Sequence, residues 1–296
     1  LMEHVDSTQL EVSGRWLADA WHLRRAVEDK SAGKERKKEI ARLWSKKSES
    51  AGWPSLKFAL LGLGGQRCWY CESPFIRQRP QIDHFRPKSS AKGRDGTVRL
   101  ADGYWWLAFE VSNFRISCEL CNVLDSSNPD GETRGKGTYF PLMNESVLAR
   151  PDGDLEEEKP LLVDPCQVGD SNLLDFDVQG QAGARDGATT EQRDRVSVSI
   201  IRLNLDDPSL TAYRAEVIGD TEMEVQRWCR GENRVRQAKD SQDALEGARD
   251  CAEALREIRR LLHSNAKYRG TVRRYLTRRL VSVPTLRGRV SGLLVA

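Results

Sequence analysis

The chain has 296 residues and a formal net charge of +3, from 47 Lys and Arg against 44 Asp and Glu. At roughly 100–200 residues per domain this length allows one or two domains, and the near balance of charge excludes a uniformly basic, histone-like chain. Hydrophobic residues make up 39% and charged residues 31%, a globular rather than disordered composition, and no apolar run approaches the roughly 18 residues of a membrane span.

The first residues carry acids where a signal peptide would carry a basic stretch and an apolar core, so the sequence predicts a cytoplasmic protein. Residues 15–63 read as helical. Trp16, Leu17, Ala20, Trp21 and Leu23 recur at three- and four-residue spacings, as do Ile40, Leu43 and Trp44. Residues 30–38, charged and containing Gly33, read as the break between them. Pro54 is expected in the first turn of a third helix. From Gly64 to about residue 145 cysteines, aromatics and prolines become dense. A hydrophilic stretch at 151–160 is followed by a short apolar run at 161–163. Residues 179–195 read as a loop leading into a helix, and 196–280 as helical again. The expected organisation is α+β and mostly helical: a helical region at 1–63, a compact insert at 64–145, and a mainly helical region at 146–296. Residues 258–296 hold ten basic side chains and no acid. Such a basic end suits a polyanion or an acidic partner, or is a solvated helix face.

Four of the seven cysteines form two identical spacings, Cys68–Trp69–Tyr70–Cys71 and Cys118–Glu119–Leu120–Cys121. Two thiolates three residues apart on a tight turn point at one ion, and two such turns complete a tetrahedral zinc site. A site of four cysteines leaves no open position for water, so the zinc would be structural. Disulfides and buried free thiols are the alternatives, the former disfavoured in a reducing compartment. Cys166, Cys229 and Cys251 show no such pairing.

Between the two pairs lies Gln81–Ile82–Asp83–His84–Phe85–Arg86–Pro87–Lys88; Asn113 stands five residues before Cys118, and Asn122 follows Cys121 directly. This order resembles the HNH endonuclease family. Its Septu-like branch, nucleases encoded beside an ATPase in antiviral defence systems, shows a run like Cys68 to Glu72, then Asp-His-Phe-Arg-Pro-Lys as at 83–88. It continues with an aromatic segment like Tyr104–Trp105–Trp106–Leu107 before the Asn, then motifs like 136–142, 161–165 and 203–205 with Arg214. The resemblance covers about residues 50–220. It implies a ββα-metal nuclease core stapled by the four-cysteine zinc, and a partner ATPase that gates it.

The residue types suit phosphodiester hydrolysis. A base must activate water near neutral pH, and histidine is the side chain whose unperturbed pKa allows this. Of four histidines only His84 lies inside the cysteine frame, and it is expected to be the general base. Asp83 would bind a divalent cation, Mg²⁺ or Mn²⁺. The resemblance gives Asn113 the role of orienting the loop that carries the base, and puts Asn122 where the family often has its last metal-binding histidine. If Asn122 opens a helix, Asp125 shares its face and is expected to add a carboxylate to the metal. Lys136, the family's lysine, comes only after an insertion at 126–135. Arg86 and Lys88 are candidate phosphate contacts; Arg86 could instead pair with Asp83 or Glu72. Tyr104, Trp105 and Trp106 read as core around the insert, with base stacking the other use.

The expected activity is therefore a metal-dependent HNH endonuclease acting on nucleic acid, DNA favoured over RNA. Two other readings stand beside it. One is a zinc-stapled module that binds nucleic acid without cutting it. The other is a scaffold that docks on an ATPase with a lapsed nuclease core. Asp83, His84 and Asn113 discriminate, because a pure binder needs no base and carboxylate at those spacings.

Overall fold

The structure is a computed structural model and describes residues 2–48, 52–128, 131–151 and 153–294. Three helices open the chain: α1 (Gly14–Glu28), α2 (Lys34–Ser48) and α3 (Gly52–Leu63). The Ser13 side chain starts α1 by accepting the Trp16 N–H. The break before α2 is shorter than its charge suggests. Lys, Arg and Glu are good helix formers, and only Gly33, at a φ of +85°, forces the turn. α3 holds Pro54 in its first turn, as expected.

A compact region of short strands follows: β1 (Gln81–His84), β2 (Ala91–Lys92), β3 (Val98–Leu100) and β4 (Phe114–Ser117), then the one-turn helix α4 (Glu119–Asn122). β1 and β4 pair antiparallel, with Asp83 opposite Arg115 and His84 opposite Phe114. β2 and β3 form a second antiparallel pair. Trp16 of α1 and Leu56, Leu60 and Leu61 of α3 pack with Phe114 and Ile116 of β4 and with Trp69. Val27, Ile40 and Leu43 pack against Ala108 and Phe109. Tyr104 and Trp106 are buried with Phe85, Phe140 and Leu162, so these aromatics are core and not stacking surfaces. The α1–α3 region thus shares a core with the cysteine-rich segment.

Next come β5 (Leu174–Phe176), β6 (Ala182–Ala184), α5 (Thr190–Arg202), α6 (Pro208–Gln237), α7 (Ser241–Leu261), α8 (Arg269–Arg279) and α9 (Pro284–Leu294). α5 opens on a capping box between Thr189 and Gln192. α6 opens on Asp207, whose carboxylate accepts the Ser209 and Leu210 N–H groups, with Pro208 first in the helix.

The described residues divide into two compact units. One comprises 2–174 and 184–205; the other comprises 175–183 and 206–294. The core of the second unit is built from Val225, Trp228, Ala254, Ile258, Val272, Leu276, Leu280, Leu286 and their neighbours. The basic end is therefore no loose tail: residues 272–290 supply six of the eleven buried side chains of that core. Arg279 pairs with Glu222, and Arg278 with Asp175. No helix among the described residues is long and apolar enough to cross a membrane.

Two glycines let α6 and α7 approach closely. A Cβ on Gly231 would lie 2.7 Å from the Gly247 carbonyl oxygen, and one on Gly247 2.8 Å from the Gly231 carbonyl oxygen. The obstacle is backbone on both sides. Gly231→Leu is expected to lower stability by about 1–3 kcal/mol through forced separation of the helices. Thermal unfolding measures it; an unchanged Tm would refute the close packing.

Candidate functional site

The two CxxC turns face each other at one end of the β1–β4 pair. The first is held to the sheet by the Trp69 N–H donating to the Ile116 carbonyl, and closes on itself through Glu72 N–H to Cys68 O. Glu72 sits at a positive φ of 63° to complete that turn. The second runs off β4 into α4, with Asn122 N–H donating to Cys118 O. All four thiols are buried, and their sulfurs lie within 4.8 Å of one another. Cys71 Sγ and Cys118 Sγ are 3.7 Å apart, close to the edge of about 3.8 Å for a tetrahedron with Zn–S bonds of about 2.3 Å. Burial pushes the Cys68 thiol well up, while hydrogen bonds from Cys118, Cys121 and Cys68 pull Cys71 well down. One cation shared by four thiolate sulfurs would satisfy this arrangement. The donor set fits a structural metal such as zinc.

At the other end of β1, His84 is buried. Its ring packs 4.5 Å from the Trp44 ring and 5.2 Å from Phe114, centroid to centroid. Nε2 lies 2.9 Å from the Ala108 carbonyl oxygen. A carbonyl only accepts, so Nε2 carries the proton and the lone pair is on Nδ1. Burial, with the nearby Lys88 and Lys136 charges, holds the imidazole pKa well below its ordinary 6.5, against the opposing pull of the Ala108 carbonyl. The ring is neutral at neutral pH, the state a general base requires.

Asn113 clamps the segment after His84. Its Oδ1 accepts the Arg86 N–H at 2.8 Å, and its Nδ2 donates to the Arg86 carbonyl at 2.9 Å. Its own carbonyl accepts the Phe85 N–H. This side chain copies a strand partner and fixes the backbone just beyond the imidazole.

Asp83 is placed differently from a cation ligand open to solvent. Its Oδ2 accepts from Tyr70 Oη at 2.7 Å, and its Oδ1 pairs with Lys136 Nζ at 2.9 Å. Lys136 is fully buried and also donates to the His84 carbonyl at 2.6 Å. Asn122 is the last residue of α4 rather than the first of a helix, and its Nδ2 donates to Gln81 Oε1 at 2.7 Å. Asp125 lies beyond α4, where its Oδ1 accepts the Ser127 N–H and hydroxyl, and its backbone pairs with Arg134. That turn leads the chain out of α4, so the shared helical face expected for Asn122 and Asp125 does not form. Among the described residues, the four cysteines are the group of three or more His, Cys, Asp or Glu donors within metal-binding distance. The Asp83, Asn122 and Asp125 set does not fit a Mg²⁺ or Mn²⁺ site in this arrangement, because both Asp83 oxygens are already bound.

Arg86 pairs with neither Asp83 nor Glu72. Its Nε donates to buried Glu158 at 2.9 Å, whose other oxygen accepts from Tyr104 Oη and the Ala149 N–H. Its guanidinium is thereby committed to holding the 155–158 segment against the strand pair. Sequence reasoning missed Glu158 and Tyr70, and left Lys136 without a role. The Gly135–Lys136–Gly137 triplet was the signal for the lysine. Both glycines have positive φ, and a Cβ on Gly135 would meet the Val123 carbonyl oxygen at 2.0 Å.

The fold and this geometry meet one relative. The chain is similar to a Septu protein PtuB. That protein is from Bacillus mycoides (strain KBAB4), and the two are 31% identical over 170 residues, which is 57% of this chain and 52% of the relative. The match thus spans about half the length of the curated relative. No protein-family model matches the chain.

Lys88 completes the site. Its Nζ lies 3.3 Å from His84 Nδ1 and 5.1 Å from the Trp44 ring centroid. Burial pulls its pKa from 10.5 to about 8; Asp83 opposes this and Lys136 adds to it. Between pH 8 and 10.5 the unfolded chain holds a proton that the folded chain lacks, so stability rises with pH there, and below pH 8 the whole penalty is present. At about 1.4 kcal/mol per pKa unit, Lys88→Met is expected to be more stable than wild type by about 3 kcal/mol at pH 7, with a flatter profile above pH 8. Urea unfolding at pH 7 and pH 9.5 measures both. Equal stability of the two proteins at pH 7 would contradict it.

Proposed function

We propose that this protein is an HNH-type endonuclease that hydrolyses phosphodiester bonds of nucleic acid, DNA favoured over RNA, as the effector of an ATPase-coupled antiviral defence system. The observation that carries the reading is the placement of buried His84, with Nε2 2.9 Å from the Ala108 carbonyl oxygen. Its Nε2 proton is tied to Ala108 O, so Nδ1 is oriented as an acceptor, and Asn113 pins the following backbone. In this reading His84 takes a proton from the attacking water. Asn113 and the Tyr70–Asp83–Lys136 chain hold it in place, and the four-cysteine metal fixes the far end of the strand pair. The similarity to a Septu PtuB supports the defence setting and a partner subunit. The resemblance also implies a Mg²⁺ or Mn²⁺ requirement, which the cleavage assay tests directly.

The test is cleavage of duplex DNA, single-stranded DNA and tRNA with and without Mg²⁺ or Mn²⁺, alone and with the proposed partner ATPase. His84→Ala is expected to lower the rate by about 10²–10⁴ with the metal content of the cysteine site unchanged. Equal rates for wild type and mutant would remove His84 as the base. No cleavage by wild type in any combination would favour a nucleic-acid-binding or ATPase-docking module.

A further inference from the structure

Lys88 has chemistry that the proposed function leaves unused. Its ammonium is buried, yet among the described residues no carboxylate pairs with it. Its hydrogen-bond partner is the His84 Nδ1 lone pair, and its other contact is the face of Trp44. An ammonium carries three donors, and a buried cation without an anion is costly unless something else repays it. The contrast with its neighbours is sharp. Lys136 pairs with Asp83, Arg86 with Glu158, and Arg115 with Asp164 through both oxygens at 2.7 Å. Every other cation around the strand pair named here has a carboxylate, and Lys88 has a base.

The position matters as much as the missing anion. His84 is buried, while Lys88 and Trp44, both in contact with its ring, are half-buried. As long as Lys88 donates to Nδ1, the lone pair is occupied and water cannot use it. Something must draw the ammonium away before the imidazole can act. An incoming phosphodiester offers that pull, because its anionic oxygens are stronger acceptors for an ammonium than a neutral imidazole.

We propose that Lys88 is a phosphate-binding catalytic residue: its ammonium caps the His84 lone pair in the resting protein, then transfers its hydrogen bond to a non-bridging phosphate oxygen of an entering strand and frees Nδ1. This rests on the nuclease reading above for its chemical step, but the binding event does not. In that step the water oxygen forms the new P–O bond and its proton passes to Nδ1. The P–O bond to the leaving sugar oxygen breaks with its electron pair, and that oxygen takes a proton from solvent. The imidazolium returns its proton to solvent. Lys88 stays protonated throughout and neutralises charge on the phosphorus oxygens. The exchange couples base activation to substrate arrival, so an empty site holds no exposed base.

The experiment is ¹⁵N NMR of the imidazoles in the full-length metal-loaded protein, titrated with inorganic phosphate. The His84 signals are assigned by comparison with His84→Asn. Phosphate is expected to move the wild-type Nδ1 resonance toward that of a lone pair without a donor. Lys88→Met is expected to show that position already without phosphate, and to bind phosphate at least tenfold more weakly. Equal phosphate affinity in Lys88→Met, or a wild-type Nδ1 signal that phosphate leaves unmoved, would overturn the proposal. In cleavage, Lys88→Met is expected to lower kcat at least a hundredfold, with Lys88→Arg recovering part of it; a change in KM alone would reduce Lys88 to a binding contact and overturn the catalytic role. If the wild type cuts nothing while phosphate still shifts Nδ1 through Lys88, the nuclease reading fails and the anion site stands.

Discussion

Cys118→Ala is expected to release the bound metal and unfold the unit formed by residues 2–174 and 184–205. Cys118 joins β4 to α4, and its thiol lies 3.7 Å from that of Cys71. Three remaining thiols give an incomplete shell. The segment they hold contains only four-residue strands in its central pair and a one-turn helix, too little regular structure to stand by itself. Binding of a structural zinc is worth roughly 10–16 kcal/mol in small zinc domains, more than a typical domain's whole stability of about 5–15 kcal/mol. Metal analysis should find one zinc per wild-type chain and none in the mutant. Circular dichroism should show loss of the cooperative transition of this unit, and a strong chelator should do the same to wild type. A mutant that keeps its metal, or folds normally without it, would show that the four thiols are only packing.

The second large effect is expected at Lys136. Lys136→Met removes a fully buried ammonium and leaves the Asp83 carboxylate buried with Tyr70 as its remaining partner. Breaking one half of a buried ion pair costs about 3–5 kcal/mol, because the surviving charge has no compensation. The double mutant Asp83→Asn/Lys136→Met should recover much of that loss, since it removes both charges together. Urea denaturation of the four proteins forms a double-mutant cycle. Additive losses would mean that the 2.9 Å pair carries no coupling. The His84 carbonyl also accepts from Lys136, so the single mutant should disturb the imidazole resonances as well.

The legible and illegible parts of the site divide along a physical line. The cysteine cluster was readable because its spacing is local: each CxxC fixes two sulfurs within one turn, and only the meeting of the turns is a tertiary event. Asn113 was named through the family resemblance and not through spacing, since the Arg86 backbone it holds lies 27 residues away. Most helices were readable from apolar periodicity, although α2 began earlier than its charged opening suggested. The electrostatic partners were not readable. Asp83 meets Lys136, Arg86 meets Glu158, and Arg115 meets Asp164, over separations of 49 to 72 residues. No local pattern announces which acid a buried base will find. The Asp83 carboxylate expected to face Mg²⁺ instead meets a lysine beyond the 126–135 insertion. The place of the basic end was illegible for a related reason: its arginines are visible in the sequence, while its apolar side chains join it to the second core.

The way the chain returns to Lys136 bears on how relatives should be aligned. Lys136 N–H donates to the Cys121 carbonyl and Gly137 N–H to the Asn122 carbonyl, so both ends of the excursion after α4 are stitched together at its base. Doubling the length of a loop whose ends are already joined costs only about 0.6 kcal/mol. Lineages can therefore lengthen or trim this segment with little penalty while the lysine stays in register. A search that demands a fixed gap between Asn122 and Lys136 will pass over true counterparts. One that anchors on the glycine-flanked lysine and leaves the gap free will retain them.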